Sequence, residues 1–187
     1  FKQWDKGIRL ARGKYIWIAE SDDYCELNFL QTLVEVHKNN PDLALAYCQS
    51  YRLNATGEIK GDWLNYTNNF IPNRFKNDFL MDGYEFIEKF LIHKNVIPNV
   101  SSVLFKKVAL NEILPLRIEP YFKYFADLFY YIQLLFNAQI SFVSQPLNYF
   151  RFHPNSVIAM AEIEDGRLKI FQLEHRGRRE MMRYLKV

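Results

Sequence analysis

The chain has 187 residues, of which 49% are hydrophobic and 24% charged, so it has the composition of a globular domain rather than of a largely disordered protein. Its 24 Lys and Arg residues exceed its 21 Asp and Glu residues by a net charge of only +3, which by itself does not indicate a nucleic-acid-binding protein. Cys25 and Cys48 form no CxxC pair, which disfavours a zinc site, and no apolar run is long enough to predict a membrane span.

The first part of the chain predicts a strand–helix–strand unit. A short helix is predicted over 3–12, and a short apolar run over 15–19 predicts a buried strand. A second buried strand is predicted over 43–48. Between the two strands lies a predicted helix, whose apolar face is formed by Leu27, Leu30, Leu33, Val34 and His37. Units of this kind favour parallel strands in an α/β sheet.

The stretch 54–79 differs in composition. It is rich in Asn and interrupted by Gly and Pro, so we interpret it as a long surface excursion with a short hairpin near 54–57. After it the sequence predicts, in order, a helix over 82–93 capped by Asp82, a strand over 100–105, an aromatic-rich helix over 126–137, short strands over 139–143 and 147–152 around Pro146, and a basic helix over 161–186.

A cluster of acids follows the first buried strand directly. An acid at the carboxyl end of such a strand lies where open α/β sheets bind ligands. Glu20 and Asp22 are two residues apart and can direct two carboxylates toward one hard cation, such as Mg²⁺ or Mn²⁺, which also binds phosphate oxygens. A metal there would stabilise a leaving diphosphate. The alternative is local turn chemistry, in which Asp23 and Glu26 form a capping box for the next helix.

Four segments of the chain match, in order, the motifs of one enzyme family. Residues 11–23 read ARGKYIWIAESDD, close to the pattern A-x-G-x-Y-I-x-F-L-D-S-D-D. Residues 101–106 are similar to an acceptor-side strand, 126–128 to the start of a later helix, and 145–156 to the segment P-L-x-x-Y-R-x-H-x-x-S. Together they resemble glycosyltransferase family 2 over residues 1–157.

This resemblance implies a fold, a reaction and a set of site residues. The fold is the α/β fold called GT-A, a Rossmann-like mixed sheet flanked by helices, and the reaction is inverting sugar transfer from a nucleotide sugar. The resemblance implies that Asp22 holds Mn²⁺ or Mg²⁺ against the donor diphosphate, with Glu20 as second ligand where Asp is usual. Asp127 is implied as the base that deprotonates the acceptor hydroxyl. Three further residues are implied at the donor: Asp23, Arg151 and His153.

Each of these roles has a structural alternative. Asp127 suits the first turn of a helix, where a carboxylate interacts favourably with the helix dipole. Arg151 and His153 suit an edge strand and its exposed end. An Asp-dependent phosphotransferase is disfavoured because Glu20 stands where such an enzyme needs an Asp nucleophile.

The strands that usually open the family, with V-S-V-I-I-P-x-Y-N and D-D-G-S motifs, do not occur in this sequence. We therefore expect a truncated GT-A core over 1–157, weak or absent catalysis by this chain alone, and an exposed sheet edge that self-associates or is covered by the chain's own termini. Residues 158–187 are expected to form a basic helical tail, either a solvated helix packed on the core or a peripheral contact with an anionic membrane. The expected location is the cytoplasm, including the inner membrane face.

Two functions remain as hypotheses. The first is metal-dependent sugar transfer to a saccharide or lipid-linked acceptor in surface polysaccharide synthesis. The second is non-catalytic carbohydrate binding or protein interaction without a metal. Three aromatic residues in 54–79 are candidate acceptor contacts for the first and a binding surface for the second: Trp63, Tyr66 and Phe70. A nucleic-acid binder is disfavoured because the acids would repel phosphate unless a metal intervened.

Overall fold

The structure is a computed structural model that describes residues 2–116, 122, 124–154, 156, 159–160, 163 and 166–185. Over these residues a seven-stranded mixed sheet carries helices on its faces. The strands are β1 (Tyr15–Trp17), β2 (Tyr24–Cys25), β3 (Leu43–Leu53), β4 (Ile59–Asp62), β5 (Phe79–Asp82), β6 (Val103–Lys106) and β7 (Gln139–Arg151). The helices are α1 (Lys2–Leu10), α2 (Phe29–Asn39), α3 (Gly83–Phe86), α4 (Lys107–Glu112), α5 (Ala126–Leu135) and α6 (Gly166–Leu185).

The sheet confirms the expected mixed α/β architecture. Its order is β1-β6-β3-β7-β2, while β4 pairs with β3 and β5 pairs with β7. β6 is antiparallel to both β1 and β3, so β1 and β3 run in the same direction without being neighbours. The parallel neighbour of β3 is β7. The strand–helix–strand unit is therefore confirmed in direction, but a strand from much later in the chain lies between its two strands.

β7 is one continuous strand where the sequence predicts two. Its parallel register with β3 shifts between Cys48, opposite Val143, and Gln49, opposite Pro146. This bulge accommodates a proline, which has no N–H for the ladder, within a central strand. In the bulge, the backbone N–H of Ser144 donates to Asp78 Oδ1 at 2.7 Å. The strand therefore continues through Pro146 to Arg151, which brings its end to the loop over residues 20–23, called the acidic loop below.

Two apolar cores lie on opposite faces of the sheet. The larger is formed with α1, α3, α4, α5 and α6, and the smaller with α2. α2 contributes Phe29 and Leu33 to the smaller core, and it also buries His37, whose Nε2 lies 2.9 Å from the carbonyl oxygen of Leu104. The prediction for this helix was wrong in its first turn, since Leu27 is fully exposed and Leu30 is 42% exposed. The reason is that β2 intervenes and α2 begins two residues after Leu27.

The predicted hairpin near 54–57 is confirmed as the connection between β3 and β4. Asn54 Oδ1 accepts hydrogen bonds from the backbone N–H groups of Thr56 and Glu58, and Gly57 has a φ of 89°, a conformation that favours glycine. The rest of the excursion includes two short helical turns, Trp63–Thr67 and Arg74–Lys76, each with a buried aromatic residue. It is therefore more closely packed on the sheet than its composition suggests.

The later helices lie close to their predicted positions. Asp82 caps α3 as expected, since its Oδ1 accepts from the backbone N–H of Glu85 at 3.0 Å, and the helical turn continues through Ile87–Leu91. The strand expected over 100–105 begins later, at Val103, after a helical turn over Val100–Ser102. The basic helix begins at Gly166 within the described residues, and predicted positions 161–162, 164–165 and 186 lie outside them.

The carboxyl-terminal half of α6 packs on the larger core. Gly177 lies against Phe122 and Phe125, with no room for a side chain there, and Met181 is buried. Arg178 donates through Nη1 to the carbonyl oxygen of Ile92 at 2.7 Å. Among the described residues, the helices are too short or too polar to cross a membrane.

Candidate active site

The acidic loop leaves β1 and is held by the segment that leads into β6. The indole N–H of Trp17 donates to the carbonyl oxygen of Ser101 at 2.8 Å, and the backbone N–H of Glu20 donates to Ser101 Oγ at 3.0 Å. Both contacts join residues more than 80 positions apart in the chain. The antiparallel pairing of β1 with β6 brings these segments together, so the sheet order fixes the loop.

Asp23 lies at the centre of a hydrogen-bond network. Its Oδ2 accepts from the Asn99 amide and from Ser101 Oγ, the latter at 2.8 Å, and its Oδ1 accepts from the backbone N–H of Arg151 at 3.0 Å. The capping-box interpretation of Asp23 is therefore wrong: α2 begins after Asn28, which makes no side-chain cap hydrogen bond. Asp23 instead joins the acidic loop to the lead of β6 and the end of β7.

The network continues into the sheet through buried amides. Asn148 Nδ2 donates to Asn99 Oδ1 at 3.0 Å and to Ser50 Oγ at 2.9 Å, and all three side chains are buried. Sequence reasoning missed Asn99 and Asn148. The available signal for Asn99 was its position, with Ser101, shortly before the apolar residues that open β6, where polar side chains need partners.

Asp22, Arg151 and His153 are brought together across the chain. Asp22 Oδ2 lies 2.9 Å from Nε2 of His153, a residue 131 positions later. Arg151 Nε donates to the backbone carbonyl of Asp22 at 2.9 Å, and its Nη1 donates to the carbonyl oxygen of Ala55 at 3.4 Å. The predicted donor-side residues thus lie at one corner of the sheet, and their roles toward a donor stay predictions.

Glu20 lies in a field of negative charge. Its side chain is accessible to solvent, yet partial desolvation and then the carboxylates of Asp23, Asp22 and Asp127 raise the pKa of Glu20 to about 7. A carboxyl with this surrounding is stabilised by a cation or by a proton. Within the part of the chain that the structure describes, no three His, Cys, Asp or Glu side chains are grouped so as to hold a metal by themselves.

The raised pKa of Glu20 predicts how stability depends on pH. The pKa of Glu20 in the folded protein is raised from its usual value of 4.5 to about 7. The folded state therefore becomes less stable relative to the unfolded state as pH rises through this interval. In metal-free buffer, we expect Glu20→Gln to raise Tm relative to wild type at about pH 8 and not at about pH 4, because only the wild type must ionise. Solvent screening at this accessible position limits the effect.

Differential scanning calorimetry with EDTA at both pH values measures this difference. Glu88→Gln, at an exposed position in the helical turn after α3, is the matched control and should change Tm equally at the two pH values. A Tm difference for Glu20→Gln that does not vary with pH would contradict the shifted pKa.

Asp127 lies in the first turn of α5 and is half-buried. Desolvation raises the pKa of its carboxyl, while hydrogen bonds from the backbone N–H of Leu128 and from the Asn95 side chain act in the opposite direction. Asn95 Nδ2 donates to Asp127 Oδ2 at 3.0 Å. Asp127 lines a cavity together with Ile18, which lies two residues before Glu20, so the candidate base lies close to the acidic loop.

The candidate acceptor residues pack mainly against protein. Trp63 is 9% exposed, and its ring centroid lies 4.6 Å from that of Tyr66 and 5.6 Å from that of Phe150. Phe70 packs edge-on against Phe90. The Lys94 ammonium lies 3.7 Å from the centroid of the Tyr66 ring. The role of Trp63, Tyr66 and Phe70 toward an acceptor stays a prediction.

Several solved structures share this fold. TarS of S. aureus, residues 1–349 in complex with UDP, superposes with a TM-score of 0.58 at 15% identity, covering 82% of this chain and 40% of that one. The same protein in complex with UDP-GlcNAc gives a TM-score of 0.54 at 14% identity, covering 79% and 37%. Full TarS gives a TM-score of 0.54 at 14% identity, covering 92% and 28%. This chain therefore spans less than half the length of these proteins, and the similarity confirms the GT-A-like fold.

Sequence comparison identifies the family. No curated protein matches this chain. Residues 1–97, which include β1, the acidic loop and Asn95, match the family model described as Glycosyl transferase family 2. Because this match spans more than half of the 187 residues and the fold agrees, the chain belongs to glycosyltransferase family 2.

Proposed function

We propose that this protein is a metal-dependent, inverting glycosyltransferase that moves a sugar from a nucleotide-sugar donor to a saccharide or lipid-linked acceptor in surface polysaccharide synthesis. The observation that carries the proposal is the meeting of Asp22, Arg151 and His153 at the carboxyl end of β1, in the same region as Glu20 and Asp127. Family membership supports sugar transfer, and the UDP and UDP-GlcNAc complexes of TarS support a nucleotide-sugar donor.

Glu20 and Asp22 are the residues that would hold Mn²⁺ or Mg²⁺. Two carboxylates with the remaining positions filled by phosphate oxygens and water are a usual protein contribution to Mg²⁺. These carboxylates suit a divalent cation, because the neighbouring carboxylates raise the pKa of Glu20 and so favour a cation beside it. When bound, the metal supplies Lewis-acid stabilisation of the departing diphosphate. Asp23 is unsuited as a ligand because its oxygens already accept three hydrogen bonds.

Asp127 is the proposed general base. In an inverting transfer the acceptor oxygen attacks the anomeric carbon from the side opposite the leaving diphosphate, and a carboxylate takes the hydroxyl proton. Asn95 and the N-terminus of α5 help to keep the Asp127 carboxylate ionised despite its burial. Arg151 and His153 are the side chains proposed to approach the donor phosphates, and the guanidinium of Arg151 supplies a positive charge there.

Metal-dependent donor binding tests this function. We expect a UDP-, GDP- or dTDP-sugar with Mn²⁺ to raise Tm by roughly 5–10 °C at about 100 times its Kd, because ligand binding to the folded state stabilises it. EDTA should abolish the rise, and so should Asp22→Asn, which removes a negatively charged ligand. Asp42→Asn, at an exposed position between α2 and β3, is the matched control and should keep it.

The other outcomes discriminate among the hypotheses. No rise with any donor, with or without Mn²⁺, in this chain and in a longer one that carries the family's opening strands, would contradict nucleotide-sugar use. A rise that survives both EDTA and Asp22→Asn would contradict the metal site. A rise with saccharides alone, unchanged in Asp22→Asn, would favour non-catalytic carbohydrate binding.

We also infer a peripheral membrane contact and self-association. Exposed apolar residues of α6, Leu168 and Phe171, are followed further along the same helix by exposed basic ones such as Arg179. This combination suits an anionic membrane bearing a lipid-linked acceptor. Such a contact implies a location in the cytoplasm, at the inner face of the membrane.

Self-association is a separate inference. Within the described residues β1 is an edge strand paired on one side only, which supports pairing with another chain there.

A further inference from the structure

The side-chain amide of Asn95 is only half satisfied in its hydrogen bonding beside Asp127. Its Nδ2 donates to Asp127 Oδ2 at 3.0 Å, a contact between residues 32 positions apart. Its Oδ1 is buried and has no hydrogen-bond partner among the described residues. A buried carbonyl without a partner lowers the stability of the fold. The amide therefore keeps its N–H on Asp127 although its carbonyl stays unsatisfied.

The reverse orientation of this amide is unfavourable for a clear reason. A flipped Asn95 would direct Oδ1, an acceptor, at the Asp127 carboxylate, which accepts only when ionised. The amide orientation is thus determined by the carboxylate, and Asn95 limits in turn the rotation of Asp127. Buried polar groups in folded proteins usually have partners, so an unsatisfied one next to a candidate base calls for a functional explanation.

Besides Asn95, the hydrogen bonds to the Asp127 carboxyl come from the backbone N–H groups of Leu128 and of Asp127 itself, at the start of α5. A narrow cavity beside Asp127 is lined mostly by apolar and aromatic side chains, including Ile18, Phe105 and Tyr131. Tyr131, four residues after Asp127 in α5, is buried, and its hydroxyl also has no partner within the described part of the chain. Asn95 is therefore the side chain whose hydrogen bond defines the direction of the Asp127 carboxylate.

We propose that Asn95 is a positioning residue for Asp127, holding the carboxylate in the orientation in which it receives the proton of the acceptor hydroxyl. This inference rests on the proposed function. Asn95 acts through Asp127 and has no contact with the donor site at Glu20 and Asp22 among the hydrogen bonds of the described residues. Its loss should affect the chemical step and leave donor binding intact.

A steady-state comparison of four proteins tests this proposal: wild type, Asn95→Leu, Asp127→Asn and the double variant. Leucine has the same branched arrangement of side-chain heavy atoms as asparagine and removes the donor together with the unsatisfied carbonyl. We expect Asn95→Leu to lower kcat about 100-fold with little change in KM for the nucleotide sugar, since small misplacements of reacting groups have effects of that size. In the Asp127→Asn background the same substitution should cause no further loss of kcat.

A merely structural role would give a different pattern. It would lower kcat by the same factor in both backgrounds, and that additivity would overturn the proposal. Asn137→Leu, at an exposed position just after α5, is the matched control and should keep wild-type kcat. Asn95→Ser, which also removes the amide, takes the place of the leucine variant if that variant does not fold, and the same comparison applies.

The outcomes separate this proposal from the proposed function. Absence of sugar transfer with every donor and acceptor, both in this chain and in a longer chain that also carries the family's opening strands, would overturn both. Wild-type transfer that Asp127→Asn abolishes but Asn95→Leu leaves intact would overturn the role of Asn95 alone. Wild-type transfer that Asp127→Asn leaves intact would overturn the base assignment and, with it, the role of Asn95.

Discussion

Replacement of Asp127 by Asn should lower kcat about 1,000-fold, because an amide cannot accept the proton of the acceptor hydroxyl and positioned general bases contribute rate factors of that order. Asn has the same shape as Asp, so α5 should keep its structure. The residues proposed to bind the donor, Glu20 and Asp22, are unchanged. The rise in Tm on adding nucleotide sugar and Mn²⁺ should therefore persist in Asp127→Asn.

The measurement is initial-rate sugar transfer with saturating donor, together with thermal unfolding of the same samples. Asp42→Asn, outside the candidate site, should retain wild-type kcat. Two results would contradict the base assignment: an Asp127→Asn variant with kcat close to that of wild type, or one whose low rate is accompanied by the loss of donor binding. The second result would assign Asp127 to the donor site instead.

The largest expected effect on stability comes from Gly83→Ala. Gly83 begins α3 directly after β5, and a Cβ there would lie 2.1 Å from the carbonyl oxygen of Leu135 and 2.4 Å from that of Ala138. Both atoms belong to the backbone, and the Gly83 N–H already donates to the Ala138 carbonyl at 2.8 Å. Relief of the clash would separate β5 and α3 from the end of α5. We expect a loss of about 3 kcal/mol in the free energy of unfolding.

Gly7→Ala provides the matched control for Gly83→Ala. Gly7 lies within α1, and a Cβ at this position would have no atom within 4 Å, so alanine there should stabilise the helix by roughly 0.5–1 kcal/mol. Thermal unfolding should show Tm lowered by about 10 °C for Gly83→Ala and slightly raised for Gly7→Ala. Equal Tm values for Gly83→Ala and wild type would contradict the close approach of these segments.

Several features of the fold and of the site were predictable from local sequence. The apolar run over 43–48 lies in a buried strand, as continuous apolar side chains need cover on both faces of a sheet. The run over 15–19 forms a strand only over Tyr15–Trp17, which lies at the edge of the sheet and buries Ile16 alone. Asp82 was identified as a helix cap from its residue type and position. The acidic loop could be located because an acid directly after a buried strand lies at the ligand-binding edge of an α/β sheet.

Other features depended on which strands become neighbours. Asp23 has the local pattern of a helix cap, but its carboxylate accepts hydrogen bonds from Asn99, Ser101 and Arg151 instead. These donors lie 76 to 128 positions later in the chain. The same sheet order joins Asp22 to His153. A local pattern cannot reveal such partners, because they depend on β6 lying between β1 and β3 and on β7 continuing beyond its bulge.

Residue type and short spacing were sufficient for the apolar strands, for the position of the acidic loop and for the resemblance to glycosyltransferase family 2. Three features required the packed chain: Asp23 as the centre of a network, the contact of Asn95 with Asp127, and the burial of Trp63. Burial and long-range hydrogen bonds result from packing of the whole chain, because several local preferences there compete for the same partners.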